Sequence, residues 1–395
     1  MIRYFTAGES HGEALVGIVE GMPAGVPVTK EAINRHLARR WLGFGRGGRA
    51  KFEKDLIHIF SGIRFEQTLG SPIAMKLDNE AYTRDKSGWP SIMSVDGSGD
   101  GIDKISLPRP GHADLVGMQK YGYDDIRPVI ERSSARETAM RVACCTLPRL
   151  FLKALGIEVG SHVIRIGEAG YADAAAWREA CIPLLKDGAE AMAAAADESE
   201  VRMIDKQATQ AAIDHIKAMK KEGDSLGGAY EVVVTGVPVG LGSYVQWDRR
   251  LDGQLAQAIL SIQAQKAVEV GDGIDAAFEP GSRIHDPITK EGLGYGRTQN
   301  RAGGIEGGIS NGQPIIVRGY MKPIPTLIKP LGTVDVVTGE AQPTRYERSD
   351  VTSVPAASTV AEGTVAYVIA NAVLEKFGGD SLSEISARVE AARVS

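Results

Sequence analysis

Residues Glu131-Arg-Ser-Ser-Ala-Arg-Glu-Thr138, with the run that follows to Leu155, set the reading of the whole chain. Over 135–155 the apolar residues Ala139, Val142, Ala143, Leu147, Leu150 and Leu155 recur near helical spacing, the mark of a helix with a buried face. This is the strongest helix signal in the chain, although Pro148 threatens a kink. Ser133 or Ser134 can cap its first turn, and a helix N-terminus attracts anions. Arg132 and Arg136 add positive charge there, so a plain cap and an anion site both remain open.

Working outward, residues 13–21 read as a buried strand that ends at Gly21-Met-Pro-Ala-Gly25. Thr29 then caps a helix over 30–40, with Ile33 and Leu37 one turn apart. Strands are expected at 56–62, 72–77, 229–239 and 314–320, and a long Gly-, Asp- and Ser-rich loop at 82–106. Helices are expected at 205–221, 251–268 and 360–377, the last stopped by Gly378-Gly379. Strand clusters and helices alternate without regular βαβ spacing and without a repeat, which gives an α+β fold of large antiparallel pieces. Residues 173–222, rich in Ala, Glu and Lys, carry no glycine–arginine cluster and read as a peripheral segment.

Composition narrows the function. Apolar residues make up 43% and charged residues 24%, as in ordinary globular chains, so disorder is excluded. The 47 glycines among 395 residues exceed the usual share of about 7% and point to turns and backbone-built ligand loops. A net charge of −5 disfavours a nucleic-acid binder. Three cysteines, two of them adjacent (Cys144 and Cys145) and none in a CxxC, disfavour a disulfide framework or structural zinc. No secretory signal and no run of 18 apolar residues is visible, so a cytoplasmic protein away from membranes is expected.

Six segments could carry chemistry. Gly8-Glu-Ser-His-Gly12 brackets Ser10 and His11 with glycines, and histidine exchanges protons at neutral pH. Arg39, Arg40, Arg46 and Arg49 alternate with Gly43, Gly45, Gly47 and Gly48, an anion site more plausibly than a solvated turn. No Gly-Lys-Ser/Thr follows and a helix precedes, so neither a P-loop nor a dinucleotide fingerprint fits. Arg109-Pro-Gly-His112-Ala-Asp114 offers a second histidine, and Glu131 to Thr138 a capped cluster of arginines. Asn300 to Gly312, followed by Met321-Lys-Pro-Ile-Pro-Thr326, looks like a backbone-lined cofactor bed. Arg345-Tyr-Glu-Arg-Ser-Asp350 sets one carboxylate among arginines, ordinarily a structural ion pair.

Together these segments, in order over residues 8–350, closely resemble the chorismate synthase family. The resemblance is carried by Gly8 to Gly12, Arg39-Arg40-x-Leu-Gly-x-Gly-Arg-Gly, Arg109 to Asp114, Arg132 to Thr138, Asn300 to Gly308 and Arg348-Ser-Asp350, and fixes nothing over about 168–222. It implies a single domain over 1–395 with a peripheral helical segment at 168–222, and helices sandwiched between antiparallel sheets in a homotetramer. The implied reaction removes the 3-phosphate and a C6 proton, on opposite faces, from 5-enolpyruvylshikimate 3-phosphate, the last step to chorismate in the shikimate pathway. It requires reduced FMN without net redox change, with NADPH only as an indirect source of electrons and an external flavin reductase as a possible partner.

The resemblance also assigns residues. Ser10, Arg40, Arg46, Arg49, Ser134, Arg136 and Arg345 would bind the substrate, whose phosphate and two carboxylates carry about four negative charges. His11 would protonate the departing phosphate, Asp350 would assist removal of the C6 proton to the flavin, and His112 would donate toward the flavin ring. Arg132, Ser133, Ser134, Gln263, Ala264, Gly307, Lys322, Pro323, Ile324, Pro325, Thr326 and Arg348 would hold the flavin. By sequence alone Gln263-Ala264 is the interior of a helix. Two rivals remain: a flavin oxidoreductase that consumes reduced nicotinamide, and a non-catalytic phosphate- or RNA-binding module. The second lacks interleaved aromatic residues and has the wrong charge.

Overall fold

Two antiparallel sheets frame the protein. In this computed structural model every residue is described except 46–52, 85–87, 172–173, 293, 346–349 and 395. The first sheet has the order Arg3–Ala7, Ala14–Glu20, Ile73–Asp78, His58–Ile59. The second has the order Gln265–Val270, Ile315–Met321, Gly228–Thr235, Glu158–Ile166, Ala169–Gly170. Every neighbouring pair in both sheets is antiparallel. The fold is α+β, as the irregular alternation of strands and helices implies.

Strand Ala14–Glu20 alternates buried Leu15, Gly17 and Val19 with exposed Val16, Ile18 and Glu20, so one face of the first sheet is covered. Its cover is the Glu137–Ala154 helix, which packs on the first two strands and also on helix Val354–Phe377. Gly17 permits the close approach. A Cβ there would lie 2.5 Å from Cys144 Sγ and 2.6 Å from Met140 Sδ. The 354–377 helix packs in turn on strands Glu158–Ile166 and Gly228–Thr235 of the second sheet. It is long and apolar enough to cross a membrane, but it is mostly buried here against a helix on one side and a sheet on the other.

Most expected elements stand where the sequence puts them. Thr29 caps helix Lys30–Arg39 by accepting the Ala32 N–H at 3.1 Å, and Asp205 caps Lys206–Glu222 by accepting from Ala208 at 2.7 Å. The long central helix runs unbroken through Pro148. Four expectations need correction. The 82–106 loop is interrupted by a short helix, Trp89–Ile92. The 56–62 strand contracts to His58–Ile59. The Glu131 segment does not open the long helix: residues Arg127–Ser133 form a helix of their own, and extended Ser134 breaks the two apart. The 251–268 helix stops at Leu260; Ala264 takes a left-handed φ of 66°, and Gln265–Val270 becomes an edge strand paired with Ile315–Met321. An L-residue in that conformation cannot continue a helix.

Residues 168–222 supply helices Ala174–Leu185, Ala189–Asp197 and Lys206–Glu222, of which the second packs on strand Glu158–Ile166 and the third on Ala169–Gly170 of the second sheet. Val201, Met203, Ala208, Ala212, Ile213 and Ile216 from this stretch join the main hydrophobic core.

Candidate functional site

A cavity of about 1100 Å³ opens where the loop after the first strand, the 127–133 and 137–154 helices, the 262–266 turn and the 321–326 segment converge. Ser10, His11, Arg40, His112, Ser133, Ser134, Arg136, Gln263, Ala264, Lys322, Ile324, Pro325, Thr326, Arg345 and Asp350 all line it. Segments from 10 to 350 thus meet at one place. Arg132, Gly307 and Pro323 are not in the lining. Arg132 donates to the carbonyl oxygens of Thr6 and Gly8, and Gly307 sits at the turn between the short strands Ile305–Glu306 and Ile309–Ser310. Arg46, Arg49 and Arg348 lie outside the described residues.

The two histidines share one design. His11 Nδ1 lies 3.0 Å from Oε1 of buried Glu131, whose other oxygen accepts the His11 backbone N–H at 2.7 Å. His112 Nδ1 faces the fully buried carboxylate of Asp114, which Arg109 also grips. Burial opposes ionisation of Asp114, but hydrogen bonds from His112 and Arg109 outweigh it and hold its carboxyl well below the usual carboxylate range. Above His11, the Trp89 ring stacks at 3.9 Å between centroids with 14° between planes.

The arginines are less free than their number suggests. Arg136 donates to Asn79 Oδ1 at 2.9 Å and pairs with Glu53 at 3.1 Å and with Asp55. Arg40 donates to Thr138 Oγ1 and to the Ala135 carbonyl, each at 2.9 Å, and stands 3.7 Å from Asp55. Glu53 and Asp55 therefore offset much of the charge on this wall. Further positive charge comes from Arg127, Lys266 and Lys322, which also line the cavity. Ser134 donates its hydroxyl to Ser10 Oγ at 3.1 Å, which places two small polar groups side by side. Arg39, the first arginine of the Arg–Gly cluster, turns away into the core, where it pairs with Glu362 and Asp197.

The opposite wall suits a planar, polar-edged cofactor. The 322–326 segment is fastened to the 109–112 loop through Lys322 Nζ, which donates to the Gly111 carbonyl, and through Arg109, which donates to Thr326 Oγ1 at 3.3 Å. Ile262, Ala264, Met321, Pro325, Ala356 and Val360 give that wall apolar surface. Gln263 Oε1 and Arg127 Nε are buried polar atoms of the lining with no hydrogen-bond partner among the described residues, an acceptor and a donor ready for a ligand. A tricyclic ring bearing amide and carbonyl groups fits that donor set.

Glu131, Asp114, Trp89 and Arg127 are absent from the expected site residues. Asp114 stands two residues from His112 in a quoted motif, and that neighbourhood was the available signal; Glu131 opens a quoted motif, but nothing in the sequence ties it to His11. Nothing in the sequence ties Trp89 to His11.

Known proteins resemble this chain over nearly its whole length. A profile of the chorismate synthase family matches residues 2–374. A chorismate synthase from Salinibacter ruber is 62% identical over 399 residues, covering 100% of this chain and 99% of that protein. One from Chlorobaculum tepidum is 55% identical over 395 residues, covering 100% and 98%. A crystal structure of chorismate synthase superposes with a TM-score of 0.78 at 38% identity, covering 100% of this chain and 99% of the other.

Proposed function

The chain belongs to the chorismate synthase family, and from that premise we propose how its cavity carries out the family's reaction. The reaction is the 1,4-elimination of phosphate from 5-enolpyruvylshikimate 3-phosphate to give chorismate. One C–O bond and one C–H bond break, and the C–H electron pair ends in the new diene. The observation that carries the reading is the convergence of two histidines, each backed by a buried carboxylate, with Asp350 and a cationic wall in one cavity.

Arg40, Arg136 and Arg345, with Arg46 and Arg49, bind the substrate's phosphate and carboxylates. Each hydrogen bond to a charged group contributes roughly 1.5–3 kcal/mol. The hydroxyls of Ser10 and Ser134 orient the same anion. His11 delivers a proton to the phosphate as the C3–O bond breaks, and Asp350 assists departure of the C6 proton. Ser133, Ser134, Gln263, Ala264, Lys322, Ile324, Pro325 and Thr326 hold reduced FMN, together with Arg132, Gly307, Pro323 and Arg348. Bound reduced FMN supplies electron density that eases C–O cleavage, with no net redox change. His112, held by Asp114, donates toward the ring and balances its charge.

The same reading covers the rest of the molecule. The 1–395 chain is one domain in which a helical layer is sandwiched between the two sheets, as the contacts of the 137–154 and 354–377 helices support, and 168–222 is peripheral to the cavity, which none of its described residues lines. A cytoplasmic homotetramer accounts for the apolar outer face of the first sheet, where Phe5 is 70%, Ile18 45% and Phe60 69% exposed. NADPH acts indirectly through an external flavin reductase.

The test is an anaerobic assay with 5-enolpyruvylshikimate 3-phosphate. Dithionite-reduced FMN should support many turnovers of phosphate and chorismate per flavin, and oxidised FMN none. Stoichiometric oxidation of flavin per product would overturn the reading in favour of an oxidoreductase.

A further inference from the structure

Glu131 occupies the last turn of the 127–133 helix, with its side chain 1% exposed. Its carboxylate takes two N–H groups from one residue. The His11 backbone N–H donates to Oε2 at 2.7 Å, and His11 Nδ1 lies 3.0 Å from Oε1 and 3.1 Å from Oε2. The backbones are tied as well, since Ser10 N–H donates to the Glu131 carbonyl at 3.1 Å. A carboxylate offers only acceptors, so the shared proton sits on Nδ1. Rotating the imidazole by half a turn would put a carbon against the carboxylate, and Trp89 stacked at 3.9 Å limits any other tilt. Nε2 is then the nitrogen left for the cavity, and among the described residues it has no hydrogen-bond partner.

We infer that Glu131 is the positioning residue of His11: it keeps one proton on Nδ1, so the proton that the imidazolium gives to the substrate's phosphate leaves from Nε2 and the ring is left as the Nδ1–H tautomer. Glu131 touches no substrate and acts only through the ring. The inference rests on the proposed role of His11 in the elimination. A glutamine in its place would offer an amide N–H as readily as a carbonyl, and both tautomers would then be accommodated.

The experiment pairs kinetics with ¹⁵N spectra of histidine-labelled enzyme, the His11 signals being assigned by their absence in His11→Gln. Wild-type enzyme, at a pH where the His11 ring is neutral, should show the proton on Nδ1, and Glu131→Gln a mixture. Glu131→Gln should lower kcat on the order of 10²-fold, within the range for general acid–base groups, and move the substrate KM by less than about threefold. Glu131→Asp, which keeps the carboxylate, should recover part of that loss. Added to His11→Ala, Glu131→Gln should cost almost nothing further. An equal cost in both backgrounds would make Glu131 merely structural and overturn the inference. A wild-type proton on Nε2 overturns it even if the variants fail to fold. Wild-type kcat in His11→Ala would instead defeat the proposed role of His11.

Discussion

Arg39 and Arg40 are neighbours at the end of one helix and serve opposite ends. Arg39 reaches Glu362 Oε1 at 2.9 Å and Asp197 Oδ2 at 2.5 Å in the core. Arg149 and Arg202 close on the same Glu362, and Ser161 donates to it at 2.6 Å. Burial penalises the charge on Glu362, yet Arg39, Arg149 and Arg202 hold its carboxyl well below the usual range. Arg40 instead shares Asp55 with Arg136 in a wall whose other side is the cavity. Without solvent, an ion cluster must be closed by its own partners; at a binding wall one side is left for the ligand.

Breaking the closed cluster should have the largest effect. Glu362→Ala leaves three arginines without their common partner and should cost about 3–5 kcal/mol of stability, read from the urea midpoint. A loss under 1 kcal/mol would mean that the core cluster is no more committed than the cavity wall. On the open side, Arg40→Ala should raise the substrate KM about 10- to 150-fold, the equivalent of one charge-assisted contact of roughly 1.5–3 kcal/mol. Arg39→Ala should lower stability and leave KM nearly as it is. Reversed outcomes for these two would erase the contrast.

A smaller effect belongs to His36, which lies beside Arg39 and is pushed down to about 2, by burial first and then by Arg149 and Arg39. Folded, the ring stays neutral; unfolded, it takes a proton below about pH 6.5. The unfolded state then binds more protons, so this contribution is intact above pH 6.5 and declines as pH falls, by up to about tenfold in the folding equilibrium per pH unit. Urea midpoints at pH 7.5 and 5.5 should therefore lie closer together in His36→Gln than in the unsubstituted enzyme, and an equal gap in both would remove the effect. Away from both arginines stands Gly17→Ala. It should cost roughly 1–3 kcal/mol by overpacking against Met140 and Cys144 while KM stays unchanged, measured by thermal unfolding and steady-state kinetics.

Much of the fold was legible because its signals are local. Alternation in 14–20, the Thr29 and Asp205 caps and the apolar face of the long helix each need only a few neighbouring residues. The 251–268 reading failed at Ala264, where pairing of Val268 and its neighbours with the 315–321 strand outweighed the helical pattern. The candidate site was legible as a set of motifs, which named two histidines, several arginines and Asp350. Their partners were not, because Glu131 meets His11 across 120 positions of the chain.

The sequence by itself determined the periodicities, the caps, the charged and glycine-rich segments and the family to which their order points. The tertiary structure alone decided which arginine closes a core cluster and which faces the cavity, and which nitrogen of each histidine is tied to a carboxylate. Periodicity and capping act over one or two turns of backbone. The orientation of a charge is set by whatever stands opposite, and for Arg39 that is Glu362, 323 positions away.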